Sequence, residues 1–163
     1  MNEAAICAGT YDPLTLGHLD VIERATRIFP RVVVAVASNP GKNPLFSLDE
    51  RIRMIRASTE HLKGVEVDHF DGLLVNFAEK KGVKTIVRGL RAFSDFEYEF
   101  QMALTNRKLK PQIETIFLMP KQDYSYVTSS NVREVAALGG DSSQFVPPVV
   151  QQALLKRFGK TKG

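Results

Sequence analysis

Between residues 7 and 18 the chain reads Cys7-Ala8-Gly9-Thr10-Tyr11-Asp12-Pro13-Leu14-Thr15-Leu16-Gly17-His18. An apolar run, Ala4 to Ala8, leads into it and an amphipathic helical pattern follows. A strand that ends in Gly-Thr and re-enters a helix behind Gly-His presents unpaired backbone N–H groups, a hydroxyl and an imidazole at the positive end of that helix. This is a setting for anionic oxygen. The same residues would also serve as ordinary turn punctuation, with His18 a solvated or capping side chain. Further donors stand at other strand ends: Lys42 behind Asn39-Pro40-Gly41, both arginines of Arg88-Gly89-Leu90-Arg91, and the hydroxyls of Thr128, Ser129 and Ser130. Donors without an obvious protein nucleophile suit phosphoryl or nucleotidyl transfer. There the substrate brings the nucleophile and the enzyme supplies alignment and charge stabilisation. Taken singly, Arg91 would equally pair with Glu97 or Glu99 on the surface, and Lys42 would be a solvated turn lysine.

Other chemistries lack their residues. Neither G-x-G-x-x-G nor G-x-x-x-x-G-K-[ST] follows any strand, which speaks against a dinucleotide dehydrogenase or a P-loop ATPase. His18, His61 and His69 show no paired spacing with cysteine or carboxylate, so no metal site is expected from protein side chains. Without a G-x-S-x-G elbow, Ser129 or Ser130 has no recognised setting for a hydrolytic nucleophile.

The elements that must position these donors follow from periodicity. Ala4 to Ala8 reads as a strand; Leu19, Ile22, Ala25 and Phe29 recur at helical spacing until Pro30. Val32 to Ala37 is a continuous β-branched run, the pattern of a parallel strand buried on both faces. Ser47 and Glu50 have capping-box spacing ahead of a stripe of Leu48, Ile52, Ile55 and Leu62 that runs to Gly64. Val65-Glu66-Val67 alternates like an edge strand, and Asp71-Gly72 turns it into a short helix, Leu74 to Lys81, closed by Gly82. Thr85 to Val87 is a fourth strand, followed by a helix capped by Ser94 or Asp95 and running to Arg107, whose Phe96, Tyr98 and Phe100 are assigned to the core. Apolar residues cover more than one face of that helix, so a second contact, with another subunit, is an open alternative. Thr115 to Met119 is a fifth strand; a hydroxyl-rich loop, Tyr124 to Ser130, enters a helix over Asn131 to Leu138, and a last helix carries Val149, Ala153, Leu154 and Leu155.

Five strands alternating with helices predict an α/β fold: one Rossmann-like domain with a five-stranded parallel sheet and helices on both faces, over residues 1–158, and a flexible tail over 159–163. Ligands of such sheets sit beyond the carboxyl ends of the strands. The 163 residues suffice for one core, and 44% hydrophobic with 25% charged residues is ordinary for a globular chain. No apolar run approaches a membrane span, and Met1-Asn2-Glu3 enters a strand without a basic-then-apolar leader, so a cytoplasmic location is expected. The single cysteine, Cys7, is a core residue in this reading. The net charge of +4 suits anionic ligands, but no broad basic stripe with interleaved aromatics suggests nucleic acid.

Thr15-Leu16-Gly17-His18 matches the T-x-G-H signature of the nucleotidylyltransferase superfamily, and Val127-Thr128-Ser129-Ser130-Asn131-Val132-Arg133 looks like its I-S-S-x-x-x-R counterpart. Gly9-Thr10-Tyr11-Asp12-Pro13, Lys42, Phe46-Ser47-Leu48-Asp49-Glu50-Arg51, Arg88-Gly89-Leu90-Arg91, Asp95-Phe96-Glu97-Tyr98-Glu99 and Phe117-Leu118-Met119-Pro120 resemble, in order, the bacterial phosphopantetheine adenylyltransferase family. The resemblance implies transfer of AMP from ATP to 4'-phosphopantetheine, with dephospho-coenzyme A and pyrophosphate as products and coenzyme A as a candidate regulator. It also implies magnesium, held mainly by the ATP phosphates, and a homohexamer. Carried over by position, Thr10 and His18 would be catalytic at the α-phosphate. Thr10, Tyr11, His18, Gly89, Leu90, Arg91, Glu99, Tyr124, Ser125, Tyr126, Val127, Thr128, Ser129 and Ser130 would bind ATP. Thr10, Lys42, Leu74 and Arg88 would bind the acceptor. Tyr11 and Thr128 depart from the family's usual phenylalanine and serine, yet neither removes a donor. The same fold with another acceptor, nicotinamide mononucleotide, or CTP with glycerol phosphate, is the nearest alternative; Lys42 and Leu73-Leu74 favour phosphopantetheine. A regulatory or nucleic-acid-binding module that has lost the reaction is the alternative from another class.

Overall fold

The computed structural model describes residues 3–91 and 93–159. In chain order its strands and α-helices are β1 (Ala4–Gly9), α1 (Leu16–Ile28), β2 (Arg31–Ala37), α2 (Leu48–Thr59), β3 (Val65–Phe70), α3 (Leu74–Lys81), β4 (Thr85–Gly89), α4 (Phe93–Leu109), β5 (Glu114–Leu118), α5 (Ser129–Ala137) and α6 (Pro148–Phe158). The strands form one parallel sheet in the order β3-β2-β1-β4-β5. The chain builds outward from β1 to β3, then crosses to the other side for β4 and β5. The strand order therefore reverses between β1 and β4, where the carboxyl ends of the sheet open into a crevice.

Alternate residues of the central strands feed two cores. Ala5, Cys7, Val32, Val34, Val36 and Val87 pack with apolar residues of α1, α2, α5 and α6, while Ile6, Ala8, Val33, Ala35 and Ile86 pack with Val75, Phe77 and Ala78 of α3. Burial on both sides is why β1 and β2 read as unbroken apolar runs, and β3, at the edge, alternates as expected. Cys7 is buried and its thiol pKa is pushed up to about 12 by that burial, so it acts as a small core residue.

Element ends differ from the pattern-based reading in instructive ways. β4 continues through Arg88 and Gly89 because both remain paired to β5. α5 starts at Ser129, two residues early, because the Thr128 hydroxyl accepts the Asn131 N–H at 3.0 Å and so caps the helix. α2 stops at Thr59, short of Gly64. The Ser47 hydroxyl does accept the Glu50 N–H, as the spacing suggested. The expected cap at Ser94 rests on a side chain outside the described residues, as do Met1, Asn2 and the tail beyond Gly159.

The assignment of the α4 aromatics to the core is corrected: Phe96, Tyr98 and Phe100 are 46%, 61% and 48% exposed. α4 packs along β5, the sheet edge, and so has too little sheet beneath it to bury apolar residues on several faces. Phe96 and Phe100 stack on one another instead, with ring centroids 5.5 Å apart.

Candidate active site

The turn after β1 is held by its own side chains. Thr15 is the N-cap of α1: its hydroxyl accepts the His18 N–H at 3.2 Å, and the Thr15 N–H donates to His18 Nδ1 at 3.0 Å, a reciprocal capping box. Because Nδ1 accepts a backbone proton, the neutral ring carries its own proton on Nε2, and that N–H is its remaining donor. Tyr11 adopts a left-handed φ of 52° just ahead of a cis Asp12–Pro13 bond. Its ring lies against Gly9, where a Cβ would come within 3.2 Å of Tyr11 Cε2, and edge-on to His18 with centroids 5.0 Å apart. The Tyr11 hydroxyl is buried and donates to the Cys7 carbonyl at 2.9 Å. That hydroxyl thus acts inside the core.

Two adjoining cavities occupy the crevice. The first, about 210 Å³, is lined by Tyr11, Thr15, His18, Gly89, Arg91, Val127 and Ser129 among others. The second, about 380 Å³, is lined by Asn39, Lys42, Leu73, Leu74, Met102 and Asn106 among others. Ala8, Gly9, Thr10, Arg88 and Glu99 line both. Of the donors singled out in the sequence, His18, Arg91 and Ser129 line the first cavity, Lys42 the second, and Thr10 and Arg88 the wall between them.

The two arginines that follow β4 into the crevice are held by carboxylates. Arg88 donates through Nε and Nη2 to the Glu99 carboxylate at 2.8 and 2.6 Å, and through Nη1 to the Ala8 carbonyl at 2.6 Å. Those three bonds use three of the guanidinium's five N–H groups and leave two for an anion. Burial opposes the Arg88 charge, and the Glu99 carboxylate overrides it. Glu99, expected among the nucleotide contacts, is therefore an orienting partner of Arg88. Arg91 pairs with Asp95 at 2.8 Å, rather than with Glu97 or Glu99, and donates to the Val127 carbonyl at 3.2 Å.

Of the remaining expected nucleotide contacts, Leu90, Tyr124, Ser125, Tyr126, Thr128 and Ser130 do not line the first cavity. Leu90 donates its N–H to Leu118, Thr128 caps α5, and Ser130 pairs with Arg133. Tyr126 is 63% exposed and stands edge-on to Phe145. Ser129 faces the cavity and donates its hydroxyl to the Pro13 carbonyl at 2.8 Å, tying α5 to the β1 turn.

Sequence reasoning gave no role to the residues beneath this surface. Arg51 of α2 is 1% exposed and donates to the carbonyls of Thr10, Ala37, Ser38 and Phe46 at 2.9, 2.8, 3.2 and 3.1 Å. Asp12, 5% exposed, accepts the Leu45 and Phe46 N–H groups at 2.8 and 2.9 Å. Arg133 donates to the Asp12 carbonyl at 2.5 Å. The available signal for Arg51 was its position three residues after Leu48, on the stripe formed with Ile52 and Ile55: a cation on a buried helix face needs partners there.

Burial, with the charges of Arg91 and Arg88, pulls the His18 pKa down to about 3. The ligand-free ring is therefore neutral at physiological pH. The unfolded chain takes up a proton near pH 6.5, while the folded chain resists it until near pH 3. This contribution to stability is thus complete above pH 6.5 and is lost as pH falls across that window. In ¹⁵N NMR of the ligand-free protein the His18 ring is expected as the Nε2–H tautomer down to at least pH 5. Titration near pH 6.5 would contradict this assignment.

The cytidylyltransferase-like family model matches residues 6–135. The chain is 51% identical over 157 residues to a phosphopantetheine adenylyltransferase of Heliobacterium modesticaldum, covering 96% of this chain and 94% of that protein. It is 52% identical over 155 residues to one of Alkaliphilus metalliredigens, covering 95% and 99%. In fold it is similar to a bifunctional NMN adenylyltransferase/ADP ribose pyrophosphatase from Francisella tularensis, with a TM-score of 0.72 at 18% identity over 96% of this chain and 49% of that one. With a family model spanning most of the chain and near-full-length relatives at half identity, this protein belongs to the phosphopantetheine adenylyltransferase family of cytidylyltransferase-like nucleotidyltransferases.

Proposed function

We propose that the protein transfers the adenylyl group of ATP to 4'-phosphopantetheine, giving dephospho-coenzyme A and pyrophosphate. The observation that carries this reading is the pair of cavities sharing Thr10, Arg88 and Glu99: a triphosphate on one side and a phosphorylated acceptor on the other would meet at their common wall. An oxygen of the acceptor phosphate attacks the α-phosphorus in line with the departing pyrophosphate. One P–O bond forms as another breaks, and no covalent enzyme intermediate is needed. The acceptor phosphate is largely deprotonated at neutral pH, since its second pKa is about 6, so the reaction does not require a general base. What remains for the protein is alignment and charge.

In this reading the His18 Nε2–H and the Thr10 hydroxyl donate to the α-phosphate as charge builds on it. Arg91 and Ser129 orient the nucleotide phosphates. Lys42 and the two free N–H groups of Arg88 hold the acceptor phosphate, and Leu74 borders the pantetheine arm. Among the described residues no cluster of three or more His, Cys, Asp or Glu could cage a metal, and the cavity carboxylates Asp95 and Glu99 are engaged by arginines. This donor set fits magnesium that arrives on the ATP phosphates and keeps its waters, supplying charge neutralisation. The need for ATP favours a cytoplasmic enzyme, and no described helix is long and apolar enough to cross a membrane. The exposed aromatic face of α4 supports self-association, with a homohexamer as the expected form in light scattering.

A pyrophosphate-release assay with ATP, magnesium and a panel of phosphorylated acceptors tests the assignment. Release with another acceptor but none with phosphopantetheine would refute the substrate and spare the reaction class. Lys42→Ala is expected to raise the acceptor KM about tenfold or more, the scale of a lost charge-assisted hydrogen bond, with ATP affinity changed less than about twofold. A loss confined to ATP affinity would place Lys42 on the wrong substrate.

A further inference from the structure

Resting on the reading of Thr10 as an α-phosphate donor, we infer that Asn39 is a positioning residue that aims the Thr10 hydroxyl at the substrate. A threonine hydroxyl has one proton and can donate it only once. At the wall between the two cavities Thr10 Oγ1 accepts the Asn39 side-chain N–H at 3.1 Å. With that oxygen engaged as acceptor, the hydroxyl proton is left for a group in the cleft.

The backbone on both sides of this bond is fixed. Asn39 takes a left-handed φ of 41°, a conformation that asparagine tolerates better than most residues and that turns the chain out of β2 into the Lys42 loop. Arg51 bridges the same two segments from below, donating to the Thr10 carbonyl and to the Ala37 and Ser38 carbonyls just ahead of Asn39. The Asn39 amide therefore links the strand end that carries Thr10 to the loop that carries Lys42. A side chain at this link sets the direction of a donor without itself touching the reacting atoms.

The test is a double-mutant cycle in the pyrophosphate-release assay with ATP, magnesium and 4'-phosphopantetheine. Asn39→Gly removes the amide and keeps the left-handed backbone; Asn39→Asp keeps the shape but offers only an acceptor, which draws the Thr10 proton away from the cleft. Asn39→Gly is expected to lower kcat about tenfold with both KM values within about twofold, and Asn39→Asp to lower it about a hundredfold. In a Thr10→Val background, Asn39→Gly should cost less than about twofold more, because its target is already gone. If Asn39→Gly turns over at the native rate, or if the two losses multiply, the inference is overturned while the role of Thr10 stands. Full turnover in Thr10→Val alone would overturn the reading of Thr10 and this inference with it. A purely structural or acceptor-binding role for Asn39 would persist in the Thr10→Val background.

Discussion

Replacing His18 by alanine is expected to lower kcat about a hundredfold or more while ATP affinity changes less than about twofold. The magnitude is that of losing one preorganised donor to charge that develops in a transition state. The asymmetry follows from the tautomer. In the ligand-free protein His18 is a neutral ring whose Nδ1 is occupied by the Thr15 N–H, and its low pKa of about 3 keeps it neutral; in the proposed reaction it would act in that form. A neutral N–H adds little to ground-state binding of a triphosphate beside the Arg88 and Arg91 charges, and its contribution grows only as negative charge grows on the α-phosphate oxygens. The substitution also strips the Thr15 N–H of its acceptor, although the Thr15 hydroxyl still caps the His18 N–H, so a modest fall in melting temperature accompanies the loss. Steady-state kinetics, with ATP binding by calorimetry and a thermal melt of the same sample, separates the two effects. Native turnover in a folded variant, or a loss expressed wholly as weaker ATP binding, would remove His18 from the chemistry.

The residues that line the cleft and the residues that hold it differ in how far sequence reveals them. β1, β2 and α3 were legible because burial on two faces, or on one helical face, writes itself into the order of apolar residues. Thr10, Lys42, Arg88 and Arg91 were legible because polar groups at or just beyond the carboxyl ends of parallel strands gather at the crevice of such a sheet, and His18 because it stands in the first turn of the helix that follows β1. Pairings between distant segments left no local trace. Asp95 lies only four residues from Arg91 and was within reach of local spacing, whereas that Glu99 would take Arg88 depends on where α4 docks along β5, which no spacing within α4 encodes. The apolar faces of α4 were misassigned for the same reason: periodicity shows that Phe96 and Phe100 share a face, not that the sheet ends before covering it. The hydroxyls of Thr128, Ser129 and Ser130 read alike as donors for the cleft, yet they divide between capping α5, tying it to Pro13 and pairing with Arg133.

Arg51 makes the second large prediction, on stability. Its guanidinium is a buried cross-brace between three segments: the Thr10 turn, the end of β2, and the Phe46 stretch that leads into α2. Burial pulls the Arg51 pKa below its ordinary value, and the Asp12 carboxylate opposes that shift. Asp12 in turn accepts two N–H groups from the Phe46 stretch, so cation and anion fasten the same segments by complementary bonds. Arg51→Met fills much of the volume but leaves four carbonyls without this donor and leaves Asp12 with only Arg133, 4.0 Å away, of the two cations beside it. A cost of about 3–5 kcal/mol is expected, on the scale of removing one member of a buried charged network. For a chain of this size that lowers the melting temperature by about 10 °C or more. Arg51→Lys keeps the charge but gathers its three donors at one nitrogen, which cannot span carbonyls lying on three sides, so it should recover only part of the loss. Chemical denaturation of both variants at pH 7 provides the measurement. If Arg51→Met unfolds at the native midpoint, the brace is redundant and the Thr10 turn is held by Asp12, Ser129 and the capping box alone. If Arg51→Lys is fully native, charge rather than the fork of donors carries the effect. Either result would relocate the rigidity that keeps the two cavities in register.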